Sequence, residues 1–123
     1  MEKPKIKTFK IFRQERSNED KTLQLQRELD EKGNKLSELS YSEDGELMEE
    51  KYWEYDSNGA LIADKCIFIE EEVTEVVKYL YDEQGKLTLT HKSYGEAGDA
   101  DSTYYIYNDG GKLIEKRTES SEG

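Results

Sequence analysis

The chain has 123 residues and a formal net charge of −11; 33% of its residues are hydrophobic and 38% are charged. This length suits one domain over 1–123, with 1–4 and 118–123 expected to be flexible. Low hydrophobicity with high charge is typical of disorder, but a single proline and nine tyrosines favour a folded sheet with one apolar face. The negative charge disfavours nucleic acid and anionic membranes as partners, and it favours either a basic partner or solubility alone.

The compartment is predicted from what the sequence contains. One cysteine, Cys66, excludes an intramolecular disulfide and is compatible with a reducing cytosol. Because no apolar run resembles a signal peptide or a membrane span, we expect a cytoplasmic protein with no membrane contact. A secreted protein from which a leader has been removed would give the same sequence, and that alternative stays open.

The first predicted elements are two strands joined by a turn. A strand over 5–15 contains Ile6, Phe9, Ile11 and Phe12, and a turn is expected over 17–20. The next segment, 19–31, is rich in good helix formers. Its leucines at 23, 25 and 29 alternate, however, which favours a strand over 22–29.

From there the chain repeats a short motif of an Asp, Asn or Ser followed three residues later by glycine. Its five copies are Leu29-Asp-Glu-Lys-Gly33, Tyr41-Ser-Glu-Asp-Gly45, Tyr55-Asp-Ser-Asn-Gly59, Tyr81-Asp-Glu-Gln-Gly85 and Tyr107-Asn-Asp-Gly-Gly111. Asp, Asn and Ser are favoured at the start of a type I turn because their side chains bond the backbone further along. The motif therefore predicts repeated β-hairpins.

The same motif predicts which residues face each other. A glycine in the left-handed conformation closes the turn as a bulge that sets two residues against one. Counting across this bulge gives the cross-strand pairs Tyr41–Leu47, Tyr55–Leu61, Tyr81–Leu87 and Tyr107–Leu113. Further from the turn the count gives Tyr79–Leu89 and places His91 opposite Val77.

The spacing of the motifs predicts the remaining turns. The glycines at 59, 85 and 111 are 26 residues apart, so reverse turns are needed at the other strand ends, near 70–72 and at 95–98. The remaining predicted strands are 35–41, 46–55, 60–69, 73–81, 86–93, 102–107 and 112–118. The fold class is all-β: an antiparallel meander of about nine strands in a single twisted or curled sheet of repeated hairpins.

The motif resembles the YD repeat of RHS-type proteins, whose units read Tyr-Asp-x-x-Gly-Arg-Leu. The best match is Tyr81-Asp82-Glu83-Gln84-Gly85-Lys86-Leu87, and the resemblance recurs over 29–114 with uneven spacing. Large YD-repeat proteins enclose toxin domains, for which this chain is too short. Small proteins of similar appearance occur among bacterial immunity proteins and antitoxins. The resemblance therefore implies a cytoplasmic protein that binds and blocks one toxin, and the acidic charge fits that role independently, since many toxins that attack nucleic acid are basic.

Catalysis is not predicted. His91 is the single histidine, and no nucleophile accompanies it in a triad pattern. Cys66 lies in an apolar strand segment and is expected to be buried and inert. One cysteine and one histidine cannot build a zinc site, and no calcium-binding loop pattern occurs. We therefore expect no enzyme activity, cofactor or metal.

The candidate partner-binding residues are acidic. They are Glu43, Asp44, Glu46, Glu49 and Glu50 in one hairpin, Glu70, Glu71 and Glu72 in another, and Asp99 and Asp101 in a loop. They form either a solvated surface or a patch for a basic protein.

A row of aromatic residues gives the alternative function. The row consists of Trp53, Tyr55, Tyr79, Tyr81, Tyr105 and Tyr107. It either packs against the sheet's own apolar face or belongs to a structural or carbohydrate-binding YD-repeat module. The middle hairpin is apolar on both faces at 66–69 and 73–77, which predicts a cover from the N-terminal strand or from a second copy in a homodimer.

Overall fold

A computed structural model of the chain describes residues 6–14, 21–95 and 99–121, and all the regular secondary structure in these ranges is β. Nine strands form an antiparallel sheet in the order of the sequence, so each strand lies beside its sequence neighbours. The predicted all-β meander of nine strands is therefore confirmed. The strands are β1 (Lys7–Gln14), β2 (Lys21–Leu29), β3 (Lys35–Tyr41), β4 (Leu47–Tyr55), β5 (Leu61–Phe68), β6 (Val73–Tyr81), β7 (Leu87–Tyr94), β8 (Asp99–Tyr107) and β9 (Leu113–Ser121).

Internal contacts divide the chain into two compact units. Unit 1 comprises Met1–Trp53 with Cys66–Glu72, and unit 2 comprises Glu54–Lys65 with Val73–Gly123. Unit 1 holds β1, β2, β3 and most of β4, while unit 2 holds β6, β7, β8 and β9. The expectation of a single domain stays a prediction.

The predicted turn chemistry is present in every copy of the motif. In the turn between β6 and β7, Asp82 Oδ1 accepts hydrogen bonds of 2.9 Å from the backbone N–H groups of Gln84 and Lys86. Gly85 donates to the carbonyl of Asp82 at 3.0 Å and has a φ of 84°. The side chains of the other motif copies accept equivalent bonds in their own turns: Asp30, Ser42, Asp56 and Asn108.

Three of the predicted Tyr–Leu pairs face each other in the structure: Tyr41–Leu47, Tyr81–Leu87 and Tyr107–Leu113. One residue further along, the register shifts each time. In the β6–β7 hairpin Leu80 faces Leu89, which leaves Thr88 as an extra residue. Such a shift moves all later side chains to the opposite face.

Two pairings predicted beyond this shift are wrong for that reason. Tyr79 faces Thr90 rather than Leu89, and His91 faces Lys78 rather than Val77. The sequence count allowed for the glycine bulge alone. The second irregularity moves Leu89 to the face that carries Leu80, so both faces of the hairpin receive apolar side chains.

The sheet buries little apolar surface completely. Among the described residues no hydrophobic side chain is buried, and Glu38, 8% exposed, is the buried polar residue. Most strand residues are half-buried, as expected when a single sheet must use its own side chains as cover. Cys66 is half-buried rather than buried.

Several boundaries differ from those predicted. The segment 21–29 is a strand, which confirms the choice of strand over helix. β8 begins at Asp99 rather than 102, and β9 continues to Ser121 rather than 118. A turn occupies 69–72 as predicted. The turn predicted at 17–20 and positions 96–98 of the turn predicted at 95–98 lie outside the described residues. No helix in the described ranges is long and apolar enough to cross a membrane.

Candidate functional site

The structure distributes the ten predicted acidic residues between the two units. Eight lie in unit 1, on the β3–β4 hairpin and on the turn after β5. Asp99 and Asp101 lie in unit 2. Within unit 1, six are exposed on turns: Glu43, Asp44, Glu46, Glu70, Glu71 and Glu72. We call these six residues the acidic end of unit 1.

Backbone contacts hold the two acidic turns at the same end of unit 1. The N–H of Ile69, immediately before the second turn, donates to the carbonyl of Met48 at 3.0 Å. Met48 follows the first turn, which ends with Glu46. The first turn is also anchored to β2, because Gln24 Nε2 donates to the carbonyl of Ser42 at 3.2 Å. The carboxylates therefore project from supported turns.

The second acidic turn has an unusual backbone. Glu72 has a φ of 56° and donates its N–H to the carbonyl of Ile69 at 3.3 Å. In the motif turns the corresponding donor is a glycine with positive φ, as at Gly85. A side chain in the left-handed region costs roughly 1–2 kcal/mol relative to a relaxed conformation. Unit 1 thus keeps a third consecutive carboxylate where glycine would relieve strain.

One cation reaches the acidic end from β1. Arg13 Nη1 lies 2.7 Å from Glu43 Oε1, and the two side chains are 48% and 79% exposed. An ion pair this exposed contributes at most about 1 kcal/mol. Arg13 therefore offsets part of the negative charge without covering the surface.

Glu49 and Glu50 differ from the other unit 1 acids because they lie within β4 and are half-buried. Glu50 accepts a hydrogen bond of 2.8 Å from the Tyr52 hydroxyl, and this bond raises the pKa of Tyr52. Glu49 lies 3.9 Å from the ammonium group of Lys51. Both carboxylates have local partners, so they form a less available part of the surface.

Asp99 and Asp101 lie in β8, not in a loop as predicted. The bond that Asp101 accepts from Ser120, followed by its bond from Tyr94, lowers the pKa of the Asp101 carboxyl. The Tyr94 hydroxyl lies 3.0 Å from Asp101 Oδ2, and this bond raises the pKa of Tyr94. Asp101 is therefore part of an internal network of unit 2, and it pairs with Lys92 of β7 on one side and Ser120 of β9 on the other.

The motif tyrosines have a second structural role that the sequence interpretation missed. The Tyr81 hydroxyl donates to the carbonyl of Leu61 at 2.6 Å, and the Tyr107 hydroxyl donates to the carbonyl of Leu87 at 2.7 Å. Both bonds span 20 residues and connect one hairpin to the previous one. Leu61 and Leu87 are 26 residues apart in the sequence, and so are Tyr81 and Tyr107. This equal spacing is the sequence signal that the two hydrogen bonds are equivalent.

The rest of the aromatic row is also engaged within the protein. The Tyr79 hydroxyl donates to Asp64 Oδ2 at 2.5 Å; burial, followed by this bond, raises the pKa of Tyr79 well above 10. Cations stack on other rings, with Lys35 Nζ 5.3 Å from the centroid of Trp53 and Lys116 Nζ 5.6 Å from that of Tyr105. The row is half-buried and its described partners are the protein's own groups. It supports folding more directly than sugar binding.

His91 and Cys66 were the two candidates for chemistry. His91 Nδ1 lies 3.0 Å from Ser102 Oγ across the β7–β8 pair. Acyl transfer by a serine–histidine pair also needs an acid that orients the histidine and a site that stabilises the oxyanion. The contact by itself is what two facing strand residues make. In the described ranges no group of three or more His, Cys, Asp or Glu residues is arranged to hold a metal ion.

Unit 1 contains an ion pair that the sequence did not indicate. Glu38 Oε1 accepts bonds from Arg27 Nε at 2.8 Å and from Arg27 Nη2 at 2.5 Å. The two residues face each other across β2 and β3, and Phe9 of β1 faces Arg27 on its other side. The arginine satisfies the most buried carboxylate of the described chain, so this pair is structural.

No family model matches the chain, and the search of curated proteins finds no match. The likeness to the YD repeat therefore rests on the motif residues alone.

Proposed function

We propose that the protein is a non-enzymatic binding module that neutralises a basic protein, of the kind represented by bacterial toxin domains, through the acidic end of unit 1. The main observation in support is that two exposed acidic turns lie at the same end of unit 1. The backbone hydrogen bond from Ile69 to Met48 holds them there. Six carboxylates on one end give a concentrated negative surface. Such a surface accelerates encounter with a positively charged partner and aligns the complex.

The conformation of Glu72 supports the proposal. Strained backbone persists where the surrounding structure enforces it, and it concentrates at binding and catalytic sites. At this position glycine would relieve the strain but remove a carboxylate from the acidic end. Retaining a carboxylate at a cost in stability is what a binding role for that charge would require.

The toxin-neutralising part of the proposal comes from the YD-like motif, since small proteins with such repeats resemble immunity proteins and antitoxins. Binding to a toxin would block its active surface without chemistry by this chain. The net charge of −11 suits a toxin that itself binds nucleic acid, because such a toxin is basic. The cytoplasm is the proposed compartment.

The alternative, a structural or carbohydrate-binding module, has less support from the structure. Sugar binding needs accessible aromatic faces. Lys35 lies over Trp53, and the hydroxyls of Tyr81 and Tyr107 bond to backbone carbonyls. These contacts leave the acidic end as the better candidate surface.

The test is capture of a partner from cells that carry the neighbouring genes, combined with growth rescue against the product of each adjacent gene. We expect one basic protein to co-purify in stoichiometric amount and the chain to restore growth when that protein is expressed. The proposal fails if neither a stoichiometric partner nor rescue is found.

A further inference from the structure

The two edge strands, β1 and β9, are the most exposed strands of the sheet, and β1 differs from β9 in charge. All eight residues of β1 are exposed, including Phe9 at 53%, Ile11 at 56% and Phe12 at 50%. Ile6, just before the strand, is 53% exposed. Because β1 stands at one end of the strand order, it pairs on one side with β2 and presents its other side as a sheet edge.

The charge of β1 is opposite to that of the chain. Lys7, Lys10 and Arg13 lie in the strand, and residues 6–14 contain no acidic residue, whereas the whole chain carries −11. Because side chains alternate along a strand, Phe9 and Ile11 lie on one face and Lys10 and Phe12 on the other. Each face of the edge therefore combines apolar surface with a cation.

The other edge strand has a different composition. β9 carries Glu115, Lys116, Arg117 and Glu119, so its charges balance. Arg117 lies 4.0 Å from Glu115 and 3.4 Å from Glu119, which satisfies these charges within the strand. β9 therefore has no preference for a partner of one sign, and it serves as an internal comparison for β1.

We propose that β1 binds an extended segment of another protein in which acidic and apolar residues alternate, by adding that segment to the sheet as a further strand. The free edge supplies backbone hydrogen bonds, as in other strand-addition complexes. Phe9, Ile11 and Phe12 bury the partner's apolar side chains, and Lys7 and Lys10 pair with its carboxylates. The proposed site uses Lys7 and Lys10 rather than Arg13, which pairs with Glu43 of the acidic end, and it takes a partner of the opposite charge.

Charge decides between this occupant and a second copy of the chain. Lysines on an edge strand discourage pairing with an identical strand, because two β1 edges would bring their cations together. An acidic strand experiences attraction at the same positions. An edge strand that is protected against pairing usually exposes few large apolar side chains. Exposed residues such as Phe9, Ile11 and Phe12 are instead typical of a surface that binds a partner.

The experiment uses the full chain and two synthetic peptides of about eight residues, a usual strand length. One alternates valine with glutamate and the other alternates valine with lysine; both carry the same uncharged fluorophore. Fluorescence anisotropy at about 0.1 M salt should show binding of the glutamate peptide that depends on Lys7 and Lys10, and at about 0.5 M salt the affinity for this peptide should fall. Binding of the lysine peptide, if any, belongs to the acidic end and should not depend on Lys7 or Lys10. Hydrogen exchange on the same samples should show slower exchange in β1 when the peptide is bound.

Two variants locate the site. Lys7→Glu/Lys10→Glu should lower affinity for the glutamate peptide by about tenfold or more. The matched charge reversal on the other edge, Lys116→Glu/Arg117→Glu, should leave affinity within about twofold. If the charge-reversed variant does not fold by circular dichroism, Lys7→Gln/Lys10→Gln takes its place, with a smaller loss expected.

Three outcomes would overturn the proposal. These are no binding of the glutamate peptide, equal slowing of exchange in β1 by both peptides, and a loss of binding in the β9 variant that matches the loss in the β1 variant. A dimer of the free chain that depends on Phe9 and Ile11 in analytical ultracentrifugation would instead assign the edge to a second copy. Each of these outcomes is measured at β1, whereas the proposed function is tested with a basic partner at the acidic end, so the two proposals fail independently.

Discussion

The hydroxyl of Tyr107 donates a 2.7 Å hydrogen bond to the backbone carbonyl of Leu87, which starts the strand of the preceding hairpin. The same bond joins Tyr81 to Leu61. Tyr81 and Tyr107 therefore each contact their own hairpin through a facing leucine and the previous hairpin through the hydroxyl. These bonds join successive hairpins of unit 2, in a sheet where no hydrophobic side chain among the described residues is fully buried.

Removing this hydroxyl should weaken unit 2. Tyr107→Phe keeps the ring and leaves the Leu87 carbonyl without its side-chain donor, so we expect a loss of about 1 kcal/mol in the free energy of unfolding. Urea denaturation followed by circular dichroism measures this loss. Tyr105→Phe, on a ring covered by Lys116, is the matched control and should change stability by less than about 0.5 kcal/mol. Equal losses in both variants would show that the bond has no special role.

Glycine at position 72 should stabilise the protein. Glu72→Gly removes a side chain from the left-handed region but adds flexibility to the unfolded chain, so the net gain should be roughly 0.5–1 kcal/mol. The comparison is Gly85→Val, where an added Cβ atom meets no atom within 4 Å, so the expected cost is conformational. That variant should lose roughly 1–2 kcal/mol. Thermal unfolding measures both, and a destabilised Glu72→Gly variant would contradict the account of strain.

The ion pair between Arg27 and Glu38 should contribute more than any exposed pair. Arg27→Met leaves a mostly buried carboxylate without its donor and should cost roughly 1–3 kcal/mol in the free energy of unfolding. Replacing both residues, as in Arg27→Met/Glu38→Leu, should recover most of that loss, because no unpaired charge remains. Arg13→Met, which breaks an exposed pair, should cost at most about 1 kcal/mol. Denaturant titration measures the free energy of unfolding of the three variants. A smaller loss in Arg27→Met than in the other two would contradict a structural role for this ion pair.

Tyr79 should make unit 2 sensitive to alkaline pH. Burial and the bond to Asp64 raise its pKa in the folded state, so folding favours the protonated phenol. A raised pKa contributes stability that is fully present below the unfolded value of about 10 and is lost as the pH rises through the folded value. Absorbance titration of phenolate should show Tyr79 titrating after Tyr52 and Tyr94, whose pKa values are also raised, and this last phase should disappear in Tyr79→Phe. If the tyrosine lost in the variant has a normal pKa, the Tyr79 hydroxyl is not bonded to Asp64 in the way the structure shows.

The sequence predicted most of the fold because its local signals agree. The Asp, Asn or Ser and the glycine of each motif specify a turn, and alternating leucines specify the strands around it. The pairing of Tyr79 was predicted wrongly because Thr88 is an extra residue in β7 that has no facing partner in β6. Nothing in the sequence at Thr88 indicates this irregularity. A register shift of one residue depends on the twist of the whole hairpin rather than on the identity of one side chain.

The candidate site was predictable in composition but not in geometry. Acidic residues are visible in the sequence, yet only the bond between Ile69 and Met48 shows that two acidic turns share one end of unit 1. The strain at Glu72 was not visible either, since the sequence around it lacks the glycine that marks the motif turns. Asp101 lies in β8 rather than in a loop, and its side-chain partners Tyr94 and Ser120 come from the strands on either side, β7 and β9.

Isothermal titration calorimetry can compare how tightly the captured basic partner binds the wild-type chain and a variant of the acidic end, at two salt concentrations. The variant neutralises four exposed carboxylates: Glu43→Gln/Asp44→Asn/Glu70→Gln/Glu71→Gln. We predict that the variant binds about tenfold or more weakly and depends less on salt. The control Glu83→Gln/Asp109→Asn, on exposed turns of unit 2, should bind within about twofold of wild type. Equal affinity of all three proteins for the partner would contradict a binding role for the acidic end.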